Sequence, residues 1–387
     1  MEQKGKGEQM LRLLTAGESH GKALTVIIEG LPADLEIQEA TINRDLARRQ
    51  KGYGRGGRMA IENDRVEVLS GIRGGRTLGS PLAMVITNRD YENWKEAMDP
   101  FHGDQTLRRV TEPRPGHADL AGALKYGFDD MRQILERSSA RETAARVAAG
   151  SIARQLLEPF GLRSMGHVIQ IGGVTCDALE WTETYQTAAE ESPVRCGDGK
   201  TSDNMMKAID QAKEEGDTLG GVVEVRVKGV PVGLGSHVHW DRKLDARLAF
   251  ALMSIQGIRG VEIGGGFELA AMPGSLVHDE IDHTDGRGFF RKTNRAGGIE
   301  GGISNGEEVV IRCAMKPIPT LMKPLATVDV VSKEKVSASK ERSDTCAVPA
   351  AAVVAEMVVL FTLAQEWMIV YGKDSFKEMK KCGKPFR

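Results

Sequence analysis

Between Glu136 and Leu157 the chain runs ERSSARETAARVAAGSIARQLL, a stretch that leaves the fold little freedom. Ala140, Ala144, Val147, Ala148, Ile152 and Leu156 recur at helical spacing. Side chains this small let another backbone approach closely, so the spacing predicts a helix packed inside the molecule. Ser138 or Ser139 is placed to cap its N-terminus, with Glu142 close behind as a partial capping box. Arg137, Arg141 and Arg146 fall near or on one face of the opening turns. Guanidinium groups, two hydroxyls and unsatisfied backbone N–H groups at a helix N-terminus suit an anion. The competing reading is a surface helix with an ordinary Glu/Arg ladder, and the Ala/Gly content argues against it. Arginines on a buried helix need a partner, and a ligand is the candidate here.

A second constraint is an internal echo. Residues 220–231 (GGVVEVRVKGVP) align with 21–32 (GKALTVIIEGLP), and the RSDT that starts at Arg342 heads an alanine-rich segment as the RSSA at Arg137 does. The two offsets, 199 and 205 residues, nearly agree. They predict two similar halves, about 10–165 and 205–372, within one catalytic domain spanning 10–372. The arginine-headed helix starts would then converge on one central site. The first nine residues read as a disordered leader and 373–387 as a basic, peripheral tail.

Composition excludes several classes. The net charge of −2 over 387 residues gives no global field for nucleic acid. Five scattered cysteines without a Cys-x-x-Cys pair argue against a disulfide framework or zinc site and for a reducing cytoplasm. The longest apolar run, Ala347 to Leu363, contains Pro349 and Glu356 and reads as a buried helix, so no membrane span is expected.

Several motifs carry chemistry. Strands are expected at Met10–Ala16 and Ala23–Glu29, joined by Gly17-Glu-Ser-His-Gly21. The turn matches the G-x-S-x-G of serine hydrolases, but an elbow needs a helix after the serine and a strand follows here. A serine hydrolase using Ser19 therefore stays only as the alternative reading. Helix 36–50 carries Arg44, Arg48 and Arg49 and runs into KGYGRGGR at 51–58, read as a mobile cationic lid over phosphates or carboxylates. A nucleic-acid-binding module built on that loop lacks an aromatic platform. Further strands are expected at 66–71, 82–87 and 165–173, with 88–110 a polar loop and 190–203 a surface loop ahead of a helix at 204–215. His117 lies in RPGHAD between a Pro/Gly turn and a helix start. His237 and His239 alternate like a metal pair, yet no third ligand has convincing spacing, and metal is rejected. Asp344 is placed to cap the helix starting near Cys346.

Taken together, GESHG with its strand to Gly30-Leu-Pro32, the RSSARETAARVAAG helix and RSDTCAVPAAAVVAE resemble the three signatures of the chorismate synthase family, from Met10 to about Gly372. The resemblance implies an α+β fold, a β-α-β sandwich with antiparallel sheets enclosing helices, assembled as a homotetramer. It implies a lyase that converts 5-enolpyruvylshikimate 3-phosphate to chorismate and phosphate, a 1,4-anti elimination needing reduced FMN without net redox change. FAD and NADP(H) are the further redox cofactors associated with it, with NADPH or a separate flavin reductase as the reductant. By resemblance, Arg49 and Arg55, with Arg48 and Arg141, match substrate or NADPH positions. Arg137, Ser138, Ser139, Gln256, Gly257, Gly301, Lys316, Pro317, Ile318, Pro319, Thr320 and Arg342 match FMN positions. In that scheme His20 protonates the departing phosphate, His117 manages charge at flavin N1 and Asp344 relays a proton at N5.

Overall fold

The structure is a computed structural model that describes residues 11–56, 62–177, 180–341 and 343–382. The leader and Arg342 lie outside the described residues, as do Gly57 and Arg58 of the glycine loop. Four antiparallel strands form the first sheet: β1 (Arg12–Ala16), β2 (Ala23–Glu29), β3 (Val66–Ser70) and β4 (Leu82–Thr87), in the order β1-β2-β4-β3. Alternation sets its buried face, where Leu24, Val26 and Ile28 stand opposite Ile86, Met84 and Leu82. The second sheet contains β5 (Arg163–Ile171), β6 (Gly221–Lys228), β7 (Ile258–Ile263) and β8 (Val309–Met315), in the order β5-β6-β8-β7, with a short edge strand Val174–Thr175 beside β5. There Val223, Val225 and Val227 oppose Cys313, Ile311 and Val309.

Apart from inserted segments, each half thus runs strand, strand, helix, strand, strand, helix, with one sheet order. The intervening helices are α1 (Glu39–Gln50) and α5 (Leu244–Met253), and the closing ones α4 (Thr143–Leu157) and α6 (Val348–Tyr371). Between β4 and α4 the first half also carries α2 (Asp119–Tyr126) and α3 (Arg132–Ser138). β5, which the expected halves of 10–165 and 205–372 left almost wholly between them, hydrogen-bonds to β6 in the second sheet. Segment 190–203 is not one loop. Helices Glu183–Glu191 and Gly199–Glu214 flank it, and Asp198 accepts the backbone N–H of Thr201 to start the second.

The layers follow from the helices. α4 packs on α6, α4 also meets β2, and α6 meets β5 and β6, so the helices fill the space between the sheets. Small residues set the spacing. A Cβ on Gly150 would lie 2.3 Å from Met357 Cβ and 2.5 Å from its carbonyl oxygen. On Gly166 of β5 it would lie 2.4 Å from the Ala352 carbonyl oxygen. α6 is long and apolar enough to cross a membrane by composition, but its side chains are almost all buried within the chain. Beyond it α7 (Phe376–Cys382) is not peripheral, since Phe376 and Met379 join the core.

Charge buried in this core is carried by partnered groups such as Glu356 and Glu224. Glu356, in the middle of α6, accepts from Arg48 (2.8 Å), Arg154 (2.7 Å) and Ser164 (2.7 Å). On the second sheet His167, Glu224 and Arg312 stand side by side across β5, β6 and β8. Glu224 lies 3.2 Å from His167 and 2.9 Å from Arg312. Burial works to raise its pKa, but the hydrogen bond and charge of His167, with Arg312, prevail and hold it at about 2.

Two outcomes follow. Gly150→Ala should destabilise by roughly 1–3 kcal/mol by overpacking, despite a helix-propensity gain near 1 kcal/mol, read from denaturant midpoints at fixed protein concentration. A stabilised variant would contradict close backbone packing. Because the folded pKa of Glu224 is depressed, its stabilisation is complete above the unfolded value of about 4.3 and fades as pH falls towards about 2. Glu224→Gln should flatten the loss of stability over that window.

Candidate functional site

The N-terminal ends of α4 and α6 open onto one cavity of about 430 Å³. The expected single helix from Glu136 is broken at Ser139, whose extended backbone (ψ 142°) ends α3 and begins a tight turn. Ser139 Oγ accepts the Arg141 N–H (3.2 Å) and so caps that turn, whereas α4 itself, which was expected to carry the serine cap, starts without a side-chain cap. Glu142 does not complete a capping box; it accepts from Thr15 (2.9 Å) and Arg146 (2.9 Å). The break lets Ser138 and Ser139 line the cavity.

The GESHG turn lies against this break. Ser19 Oγ donates to Ser139 Oγ (3.1 Å), and Asn88 Nδ2 donates to the carbonyls of Glu18 (3.0 Å) and Gly21 (2.8 Å). The turn joins antiparallel β1 and β2, so the strand-to-helix elbow of a serine hydrolase is absent here. The His20 ring stacks on Trp94 with centroids 4.0 Å apart, and its Nδ1 lies 2.9 Å from Glu136 Oε1. His117 enters from the RPGHAD turn, with Nδ1 against Asp119 Oδ1. Burial would raise the pKa of Asp119, but hydrogen bonds from His117 and Arg114 hold it at about 2. Arg114 also reaches Thr320 Oγ1 (2.8 Å), tying this turn to the KPIPT segment.

Cations dominate the described lining. Arg49, Arg55, Arg114, Arg132, Arg141, Arg259 and Lys316 face the cavity, against the carboxylates of Glu136, Glu341 and Asp344. Arg141 Nη1 lies 2.6 Å from Asp64, while Arg49 Nε donates to Thr143 Oγ1 (2.9 Å) and Nη2 to the Ala140 carbonyl (3.0 Å). Burial pulls the Arg49 pKa down to about 9; Asp64 and Asp344 pull it up, and the neighbouring Arg141 and Arg55 push it down. Burial, with Arg259, likewise lowers Lys316. An entering anion relieves both penalties.

The described part of the glycine loop, 51–56, is held by hydrogen bonds to the segment before α6. Gly54 accepts from Thr345 N (2.8 Å), and Asp344 accepts from Gly56 N (2.6 Å) and pairs with Arg55 (3.0 Å). Gly54 has φ +82°, and a Cβ there would meet Ile209 at 2.9 Å. Asp344 therefore does not cap α6, which starts at Val348 without a side-chain cap.

The cavity gathers His20, His117, Asp344, Arg49, Arg55, Arg141, Ser138, Ser139, Gln256, Gly257 and Lys316 to Thr320. It does not gather Arg48, Arg137 or Gly301. Arg48 points off another face of α1, into the Glu190–Glu356–Asp45 network that raises its pKa against the cost of burial. Arg137 is exposed and donates to the Gly17 and Thr15 carbonyls (3.1 and 2.9 Å). Gly301 sits at the exposed turn between Ile299–Glu300 and Ile303–Ser304. Sequence reading missed Trp94, Arg114, Arg132, Glu136 and Arg259. A lone tryptophan in the polar 88–110 segment and an arginine inside RPGHAD were the available signals.

The model of the chorismate synthase family matches residues 11–368. A chorismate synthase of Alkaliphilus metalliredigens is 58% identical over 378 residues, covering 97% of this chain and 99% of that one. One of Moorella thermoacetica is 59% identical over 366 residues, covering 94% and 95%. A chorismate synthase crystal structure superposes with a TM-score of 0.78 at 43% identity, covering 96% of each chain. With the family model spanning nearly the whole described chain and relatives this similar end to end, the protein belongs to the chorismate synthase family and is a lyase.

Proposed function

We propose that this cavity carries out the 1,4-anti elimination of phosphate from 5-enolpyruvylshikimate 3-phosphate, giving chorismate, with reduced FMN as cofactor. The observation that carries the reading is the excess of cations over carboxylates around two carboxylate-held histidines. A substrate with two carboxylates and a phosphate matches those cations, Arg49 and Arg55 foremost. Two N-terminal helix ends add positive potential on the same side.

The described residues also fit a flavin. Among the described residues Gln256 Oε1 is buried in the cavity wall and accepts no hydrogen bond, and Gly257 and Pro317 to Pro319 line the same cavity. Ser138, Ser139, Gln256, Gly257, Lys316, Ile318 and Thr320 would hold it. When bound, reduced FMN supplies electron density that helps phosphate leave and takes up the hydrogen lost from C6. His20 donates a proton to the departing phosphate oxygen, and the arginines hold the charge on that oxygen. His117, braced by Asp119 and Arg114, holds a proton at the cofactor edge, and Asp344, steadied by Arg55 and Gly56, relays one. Arg342 would complete this set, and Gly301 and Arg137 would join it only through another copy of the chain or a rearrangement.

Assembly as a homotetramer belongs to the same proposal. Trp240, Phe250, Phe267 and Phe289 are each more than 75% exposed, which supports burial against further copies. Light scattering on the purified protein tests it. We place the enzyme in the cytoplasm.

Anaerobic turnover with dithionite-reduced FMN, read by chorismate absorbance and phosphate release, tests the reaction. His20→Ala and His117→Ala should each lose at least about 10²-fold in kcat, and product formed with oxidised flavin alone would contradict the proposal. Replacing dithionite by NADPH separates self-reduction from dependence on a flavin reductase. Arg55→Lys should raise KM roughly tenfold through loss of a bidentate contact with an unchanged unfolding midpoint. Arg48→Lys should do the reverse, lowering the midpoint and leaving KM alone.

A further inference from the structure

Glu136 has no part in the reaction as drawn above, yet it grips His20 at two points. Its Oε2 accepts the backbone N–H of His20 (2.7 Å) and its Oε1 lies 2.9 Å from the ring Nδ1. Its own carbonyl accepts the Ser19 N–H (2.9 Å), so one residue of α3 fixes both turn residues. Glu136 is 6% exposed. Burial works to raise its pKa, but His20 and Arg132 keep it below the usual carboxylate range.

The face of the ring is fixed as well. Trp94 stacks on it with planes 26° apart, and the Arg108 and Arg132 guanidinium groups lie 4.8 and 5.0 Å from the indole centroid. Arg132 also faces Glu136 (3.5 Å) and Glu341 (2.7 Å), which joins α3 to the segment before α6. Among the described residues, these contacts bring Glu136 and Arg132 from α3, Arg108 behind Trp94, and Glu341 through Arg132 towards His20. Glu136 touches the imidazole itself.

An ionised carboxylate only accepts hydrogen bonds, so the nitrogen facing it bears the hydrogen. We propose that Glu136 is the positioning residue of His20, holding its Nδ1–H form so that proton exchange with the substrate runs through Nε2. The inference rests on the reading of His20 as general acid. In the step, the Nε2 proton passes to a phosphate oxygen as the C–O bond breaks and its electron pair leaves with phosphate. The ring is left neutral with Nδ1–H still on Glu136. Trp94 is the wall that keeps the ring plane fixed while this happens.

Glu136→Gln removes the acceptor and places an amide N–H against Nδ1, which selects the opposite tautomer. Glu136→Asp keeps the carboxylate. Solid-state ¹⁵N NMR of histidine-labelled protein, with His20→Ala identifying the His20 signals, reads the tautomer independently of turnover. The expected result is Nδ1–H in the parent and Glu136→Asp and Nε2–H in Glu136→Gln. With it, kcat of Glu136→Gln should fall roughly 10²-fold at a KM within about threefold, with its alkaline limb moved to lower pH. Glu136→Asp should recover at least about tenfold of that loss. An unchanged tautomer and pH profile in Glu136→Gln overturns the proposal, as does an equal loss in both variants with the tautomer intact. A switched tautomer with parental kcat upholds the grip of Glu136 and removes His20 from the acid role, so the two readings fail separately.

Discussion

The contact on which the rest of this structure depends is the backbone-to-backbone approach of α4 and α6 at Gly150 and Met357. Two helices with larger side chains at their crossing would stand farther apart, and their N-terminal ends would not reach one cavity. With them close, the turns that precede α4 and α6 face each other. Ser139 of one and Asp344 of the other line the same space. The sheets serve this arrangement from outside. β2 supports α4, β5 and β6 support α6, and the GESHG and RPGHAD turns reach the helix ends from flanking segments.

The cost of gathering so many cations is met by a second layer of acids. Asp64 holds Arg141 and faces Arg49, Asp119 holds Arg114, and Asp344 holds Arg55. These pairs keep the guanidinium groups oriented before any ligand arrives, the preorganisation that favours a developing charge over bulk water. Burial of the Arg49 guanidinium beside Arg55 and Arg141 still carries a cost, which an anionic substrate lowers. The core uses the same device for another end. Arg48 and Arg154 neutralise Glu356 there, and the result is a fixed helix position rather than a site.

Much of this was legible in the chain. Alternation located β2 and β4 at their true bounds, small-residue spacing located α4, and the echo between 21–32 and 220–231 marked two strands with equivalent places in their sheets. Periodicity could not show the break at Ser139, because a residue that caps a turn reads the same as one inside a helix with a helical neighbour. Nor could it show which face of α1 meets the cavity. Adjacent arginines point about 100° apart on a helix, so Arg49 enters the site and Arg48 the core. Trp94 and Glu136 escaped because their roles come from contacts with His20 that span long stretches of sequence.

The most direct test of the convergent cavity is a crystal structure with substrate and oxidised FMN, a pair that binds without completing turnover. The account predicts the substrate phosphate within about 3 Å of His20 Nε2, among Arg49, Arg55 and the α4 N-terminus. Substrate seated elsewhere, or phosphate turned away from His20 with the flavin in place, would contradict it.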